Sequence, residues 1–181
     1  MNPTGRNVSS SVSWQGIRAP WVGTKNVWRL LHKLGLFNNL EILNAVQRMK
    51  PQEWTPKFAK NLYQKIAKES VYITNIAKCT QKDARHLPNS VYKEYLSLMM
   101  AELEWIQPRT VISFGNQVSS VLLQKSIVVS KYKQDDHEIL TTPQGLRIKV
   151  YPSYYPVGQG SRNLKKAIKR IHDVLRKVAS E

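Results

Sequence analysis

The order of apolar and polar positions along the chain lays out its elements. Val27, Leu30, Leu31 and Leu34 recur at helical spacing behind Thr24, a candidate N-cap, and Gly35 closes that helix. Thr55 and Pro56 read as a cap and first helical position ahead of the stripe Phe58, Leu62 and Ile66. Val71 to Ile76 is a short apolar run that predicts a buried strand. Asn89 or Ser90 opens a long helix carrying Tyr95, Leu96, Met99, Leu103 and Ile106, which Pro108 ends. Thr110 to Phe114 predicts a second strand, followed at once by Gly115 and another helix. Ile127 to Leu140 has the pattern of a hairpin turning at Gln134 to Asp136, and Leu146 to Tyr151 that of a third strand. The last helix runs from Arg162 to Val178, with Leu164, Ile168, Ile171, Leu175 and Val178 on its apolar side.

Strands separated by helices predict an α/β fold, largely parallel, in one domain over residues 1–181. Ligands of such sheets collect beyond the carboxyl ends of the strands. The segments there are Asn75, Lys78 and Cys79 after the first strand, Gly115 and Asn116 after the second, and Pro152 to Gly160 after the third. The last is dense in Tyr, Pro and Gly, a composition suited to stacking on bases or wedging into a duplex. Residues 4–24 read as a polar loop broken by Gly and Ser, yet the loop holds Trp14 and Trp21. Two tryptophans predict that part of it packs or receives a ligand.

Charge narrows the partner. Lys and Arg total 28 against 12 Asp and Glu, a net +16, which points to a polyanion, nucleic acid before an anionic membrane surface. No apolar run is long enough to span a bilayer, and the N-terminus lacks the apolar region of a signal peptide, so the expected location is cytoplasmic and nucleoid-associated. Cys79 is the single cysteine, which excludes an internal disulfide and a four-cysteine metal site. His32, His86, His137 and His172 show no ligand spacing. The final helix carries Arg162, Lys165, Lys166, Lys169, Arg170, Arg176 and Lys177, of which Arg162 and Lys165, near its start, are the favoured phosphate contacts.

Five segments resemble a known family. Val71-Tyr72-Ile73-Thr74-Asn75-Ile76-Ala77-Lys78-Cys79 resembles the Y-x-T-N-x-x-K-C strand of the thermostable branch of uracil-DNA glycosylases. Gln107-Pro108-Arg109 leading into Thr110–Gly115 resembles the helix end and strand that follow there, and Ala19-Pro20-Trp21-Val22-Gly23 its P-F-V-G segment. Met1-Asn2-Pro3 resembles the G-x-N-P water-activating motif of the mismatch-specific and single-strand-selective relatives, and Ser153-Tyr154-Tyr155-Pro156-Val157 sits where the family carries its leaving-base loop. The chain is thereby similar to the uracil-DNA glycosylase superfamily over nearly its whole length.

The resemblance implies a three-layer sandwich, a short, mainly parallel central sheet flanked by helices, and a monofunctional enzyme. It would flip a base from DNA and hydrolyse its glycosidic bond, with no cofactor and no metal, as a monomer. By the same resemblance Asn2 orients water beneath the sugar, Trp21 stacks on the base, Asn75 reads its edge, and Tyr155 faces the leaving base. Tyr154, Gly158, Gln159, Arg162 and Lys165 contact DNA, and Asp83 and His86 are candidates to line the pocket.

Three departures bear on this. Tyr155 stands where the family often has a histidine, which opens the range of bases from uracil to hypoxanthine, xanthine or a modified pyrimidine of phage DNA. The four cysteines that hold an iron–sulfur cluster in the thermostable branch are not present. Relatives carry a strand just before the N-P motif, whereas here Met1 falls inside the motif, so either that strand is absent or it lies upstream of the residues given. A catalytically degenerate module that recognises a modified base without cutting it is the alternative, and a basic RNA-binding protein a third.

Overall fold

The computed structural model describes residues 13–78, 87–133, 135–155 and 162–180. Asn2, Cys79, Asp83, His86, Gly158 and Gln159 lie outside them. The architecture is mixed α/β, and the chain divides into two compact units, Met1–His86 and Leu87–Glu181.

The described part of the first unit is helical, with α1 (Asn26–Lys33), α2 (Leu40–Arg48) and α3 (Pro56–Lys68). Thr55 caps α3 as its sequence foretells, its side chain accepting from the Phe58 N–H, with Pro56 at the first helical position. Thr24 does not cap α1; Lys25 occupies that place without a side-chain cap. The core gathers on Trp28, fully buried, with the rings of Phe37 and Tyr63 edge-on at 6.0 and 5.5 Å. Val71–Ile76, expected as a strand, belongs to no strand, and Tyr72 is exposed. Its β-branched residues favour extended backbone, but a strand needs a ladder of hydrogen bonds to a neighbour, and propensity alone does not supply one.

In the second unit α4 (Asn89–Glu94) and α5 (Leu96–Ile106) replace the one long helix expected, divided at Tyr95, and Pro88 rather than Asn89 or Ser90 stands at the N-cap. Gln107 ends α5 in the left-handed region at φ 49°, and Pro108 follows. Strand β1 (Thr110–Phe114) leads through Gly115, at φ +90°, into α6 (Asn116–Leu122). Strands β2 (Glu138–Thr141) and β3 (Arg147–Ser153) complete a sheet of order β1-β3-β2, with β1 parallel and β2 antiparallel to β3. One of its two pairings is therefore parallel. The hairpin is β2–β3, not Ile127–Leu140. Its turn is built by Gly145 at φ +89° and by the Thr142 hydroxyl, which accepts from the Leu146 N–H, while Val129–Lys131 forms a 3-10 turn. Helix α7 (Leu164–Ser180) buries Ala167, Arg170, Ile171 and Val174, a ridge one position over from the leucine-rich side read from sequence.

Candidate functional site

The carboxyl end of β3 is fixed from both sides. Phe114 of β1 pairs with Ser153, and the Gly115 N–H donates to the Ser153 carbonyl at 2.8 Å. On the other side β2 pairs only as far as Val150. Pro152, beyond it, has no N–H to leave unpaired, and its carbonyl accepts from Arg170 Nε of α7 at 2.7 Å. The guanidinium also donates to the Asp136 carbonyl at 2.6 Å and lies 5.7 Å from the centre of the Tyr132 ring. Arg170 is 6% exposed, and burial pulls its ionisation below the ordinary value against the opposing fields of Asp136 and Asp135. Sequence grouped this residue with the other cations of α7; the structure places it in the buried ridge with Ala167, Ile171 and Val174.

From that anchored end the chain delivers Tyr154 and Tyr155. Tyr155 is exposed and meets Phe114 edge-on at 6.3 Å, so two aromatic rings stand together at the carboxyl ends of the parallel pair β1 and β3. Phe114 was not among the residues singled out from sequence; the strand-to-helix Gly115 beside it was the available clue. Tyr154 is half-buried with the Lys166 ammonium 5.9 Å above its ring. Arg162 and Lys165 are exposed, and with Lys166 and Lys169 they make a cationic stripe over the first turns of α7. Lys177, at the far end, is paired with Asp135 at 2.6 Å.

Trp21 and Asn75 belong to the first unit. Trp21 is half-buried and sits at φ +65°, a left-handed backbone that a bulky residue adopts at a cost. The turn around it is held from beneath. Trp28 Nε1 donates to the Trp21 carbonyl at 3.3 Å, the Thr24 N–H donates to the same oxygen at 3.0 Å, and the Tyr63 hydroxyl donates to the Pro20 carbonyl. Burial pushes the Tyr63 hydroxyl far above its ordinary value, which keeps it protonated as the donor. Trp14, the other loop tryptophan, donates to the Ile17 carbonyl at 2.9 Å. Asn75 is half-buried in the segment after α3, where Lys78 donates to the Thr74 hydroxyl at 2.6 Å.

The structure thus brings Tyr155 together with Phe114, and Tyr154 with the cations of α7, in one unit, and builds a braced turn under Trp21 in the other. A family model described as the Uracil DNA glycosylase superfamily matches residues 10–178, spanning both units. No curated protein matches the chain.

Proposed function

The chain belongs to the uracil-DNA glycosylase superfamily, and on that premise we propose that it is a monofunctional DNA glycosylase, monomeric, which excises a deaminated base or a modified pyrimidine and leaves an abasic site. The superfamily acts on DNA, and no helix among the described residues is long and apolar enough to cross a membrane. The observation that carries the reading is the exposed Tyr155 against Phe114 at the carboxyl ends of β1 and β3, where an α/β sheet receives its ligand.

Hydrolysis forms a bond from a water oxygen to C1′ and breaks the bond from C1′ to the base nitrogen. The electron pair leaves with the base, and the water proton goes to solvent. Asn2 holds the water; the Tyr155 hydroxyl donates a hydrogen bond to the charge developing on the leaving base. Extrusion of the nucleotide costs unpairing and unstacking. Stacking of the base on Trp21, amide recognition of its edge by Asn75, and phosphate contacts from Arg162 and Lys165 offset that cost. Tyr154, Gly158 and Gln159 push at the duplex as the nucleotide flips out.

Released free base is the test. Duplexes and single strands carrying uracil, hypoxanthine, xanthine, a thymine mismatch or hydroxymethylated cytosine are incubated with the protein, and the supernatant is analysed for base. Release of one of them supports the reading and names the substrate. Tight binding to one lesion with no release from any supports instead the non-cutting module, the reading that the Tyr155 replacement favours.

A further inference from the structure

Helix α3 is charged by lysines alone; Lys65 and Lys68 in its last turn suit its dipole, and the charges at its two boundaries do not. It holds Lys57, Lys60, Lys65 and Lys68 and no acidic residue. Lys57 sits at the second helical position, beside the positive end of the helix, and the acid Glu69 stands at the C-cap, beside the negative end. Both placements are unfavourable. A solvated helix face ordinarily mixes charges of both signs and gains from pairs three or four residues apart. Here Lys57, Asn61, Gln64 and Lys68 form one outward row at helical spacing with Lys60 at its flank, and all five are exposed. The side chains of Lys57, Lys60 and Lys68 make no hydrogen bond or ion pair among the described residues. The opposite side of α3 is buried through Ala59, Leu62 and Ile66, so the helix is rigidly seated and its cations point away from the core.

We propose that this face of α3 is a second DNA-backbone contact, separate from the cations of α7, in which Lys57, Lys60 and Lys68 each neutralise a phosphate while Asn61 and Gln64 donate to phosphate oxygens between them. From Lys57 to Lys68 the row spans about 16 Å of helix axis, which suits a track of several phosphates and no base edge. The contact is blind to sequence and to the damaged base. It holds the protein on ordinary DNA, and the local cost of Lys57 at the helix start is offset when a polyanion is bound. The inference rests on the DNA-binding part of the proposed function and is independent of base excision.

The experiment measures affinity for an undamaged duplex of mixed sequence across a range of sodium chloride, for the wild-type chain, Lys57→Ser/Lys60→Ser/Lys68→Ser and Lys57→Glu. Loss of three phosphate contacts lowers the slope of log Kobs against log salt by about 2.7. The triple variant is expected to show that fall, and Lys57→Glu is expected to weaken binding while its Tm rises, because an acid replaces a cation at the helix start. A wild-type chain that binds with a steep salt dependence, together with a triple variant of unchanged slope, overturns the α3 contact and leaves DNA binding through other cations standing. A wild-type chain with no salt-dependent binding to duplex overturns both.

Discussion

Arg170 Nε donates to the carbonyl of Pro152 at 2.7 Å, and that bond completes the end of β3 where β2 has already stopped. A guanidinium is costly to bury, and this one donates to two backbone carbonyls and lies beside an aromatic ring. Hydrogen bonds from a charged donor are each worth about 1.5–3 kcal/mol. Arg170→Met is expected to lower unfolding free energy by about 3 kcal/mol in urea titration. Arg170→Lys should recover little of it, because an ammonium cannot span both carbonyls with the planar fork.

The positive φ of Trp21 separates backbone cost from ring function. Trp21→Gly and Trp21→Ala remove the ring equally, but only glycine relieves the left-handed backbone. Trp21→Gly is expected to be more stable than Trp21→Ala by about 1 kcal/mol, read from thermal unfolding. Both should lose affinity for DNA carrying the target base to the same extent.

Gly16 is required for space rather than for its dihedral angles. A Cβ there would stand 2.8 Å from Pro56 Cβ, 2.9 Å from Pro56 Cα and 3.0 Å from the Trp14 ring. Pro56 begins α3 and cannot yield without moving the helix. Gly16→Ala is expected to cost about 1–3 kcal/mol, measured by urea unfolding.

Stability should fall at both ends of the pH scale through one cluster. The Tyr132 hydroxyl donates to Glu138 at 2.6 Å and is pushed up to about 12, first by burial and then by that carboxylate. A raised folded-state value means that its contribution is intact below the ordinary value of about 10 and is lost as pH rises toward the folded one. Lys125, then Tyr132, holds the Glu138 carboxyl below its usual range, so its contribution is present above that range and disappears as pH falls through the depressed value. Urea unfolding against pH should show a shallower alkaline loss in Tyr132→Phe and a shallower acid loss in Glu138→Gln.

Local signals carried part of this structure and long-range ones decided the rest. Thr55-Pro56 and Gly115 announce α3 and the β1–α6 turn because a cap, a ring-locked φ and a positive φ are properties of single positions. The β2–β3 hairpin hides because the turn in which the Asp136 N–H donates to the Lys133 carbonyl is real but does not join β2 to β3, while Pro143-Gln144-Gly145, flanked by Thr142, makes the turn that does. Val71–Ile76 reads as a strand because extended propensity is local and ladder partners are not. Arg170 is legible as a cation, but its burial depends on a carbonyl 18 residues away in the chain. At the candidate site, Tyr155 and Trp21 could be named from motifs; Phe114, Trp28 and Tyr63, which support them, become visible only through contact.

The most direct measurement is abasic-site formation on DNA carrying uracil, hypoxanthine, xanthine, a thymine mismatch or hydroxymethylated cytosine, scored as alkali-labile strand breaks for the wild-type chain and Asn2→Ala under single-turnover conditions. Abasic sites made by the wild type without breaks before alkali, and slowed at least a hundredfold in Asn2→Ala, a loss of about 2.7 kcal/mol in barrier lowering, are the expected result. DNA bound by both proteins with no abasic sites from either would contradict the glycosylase reading.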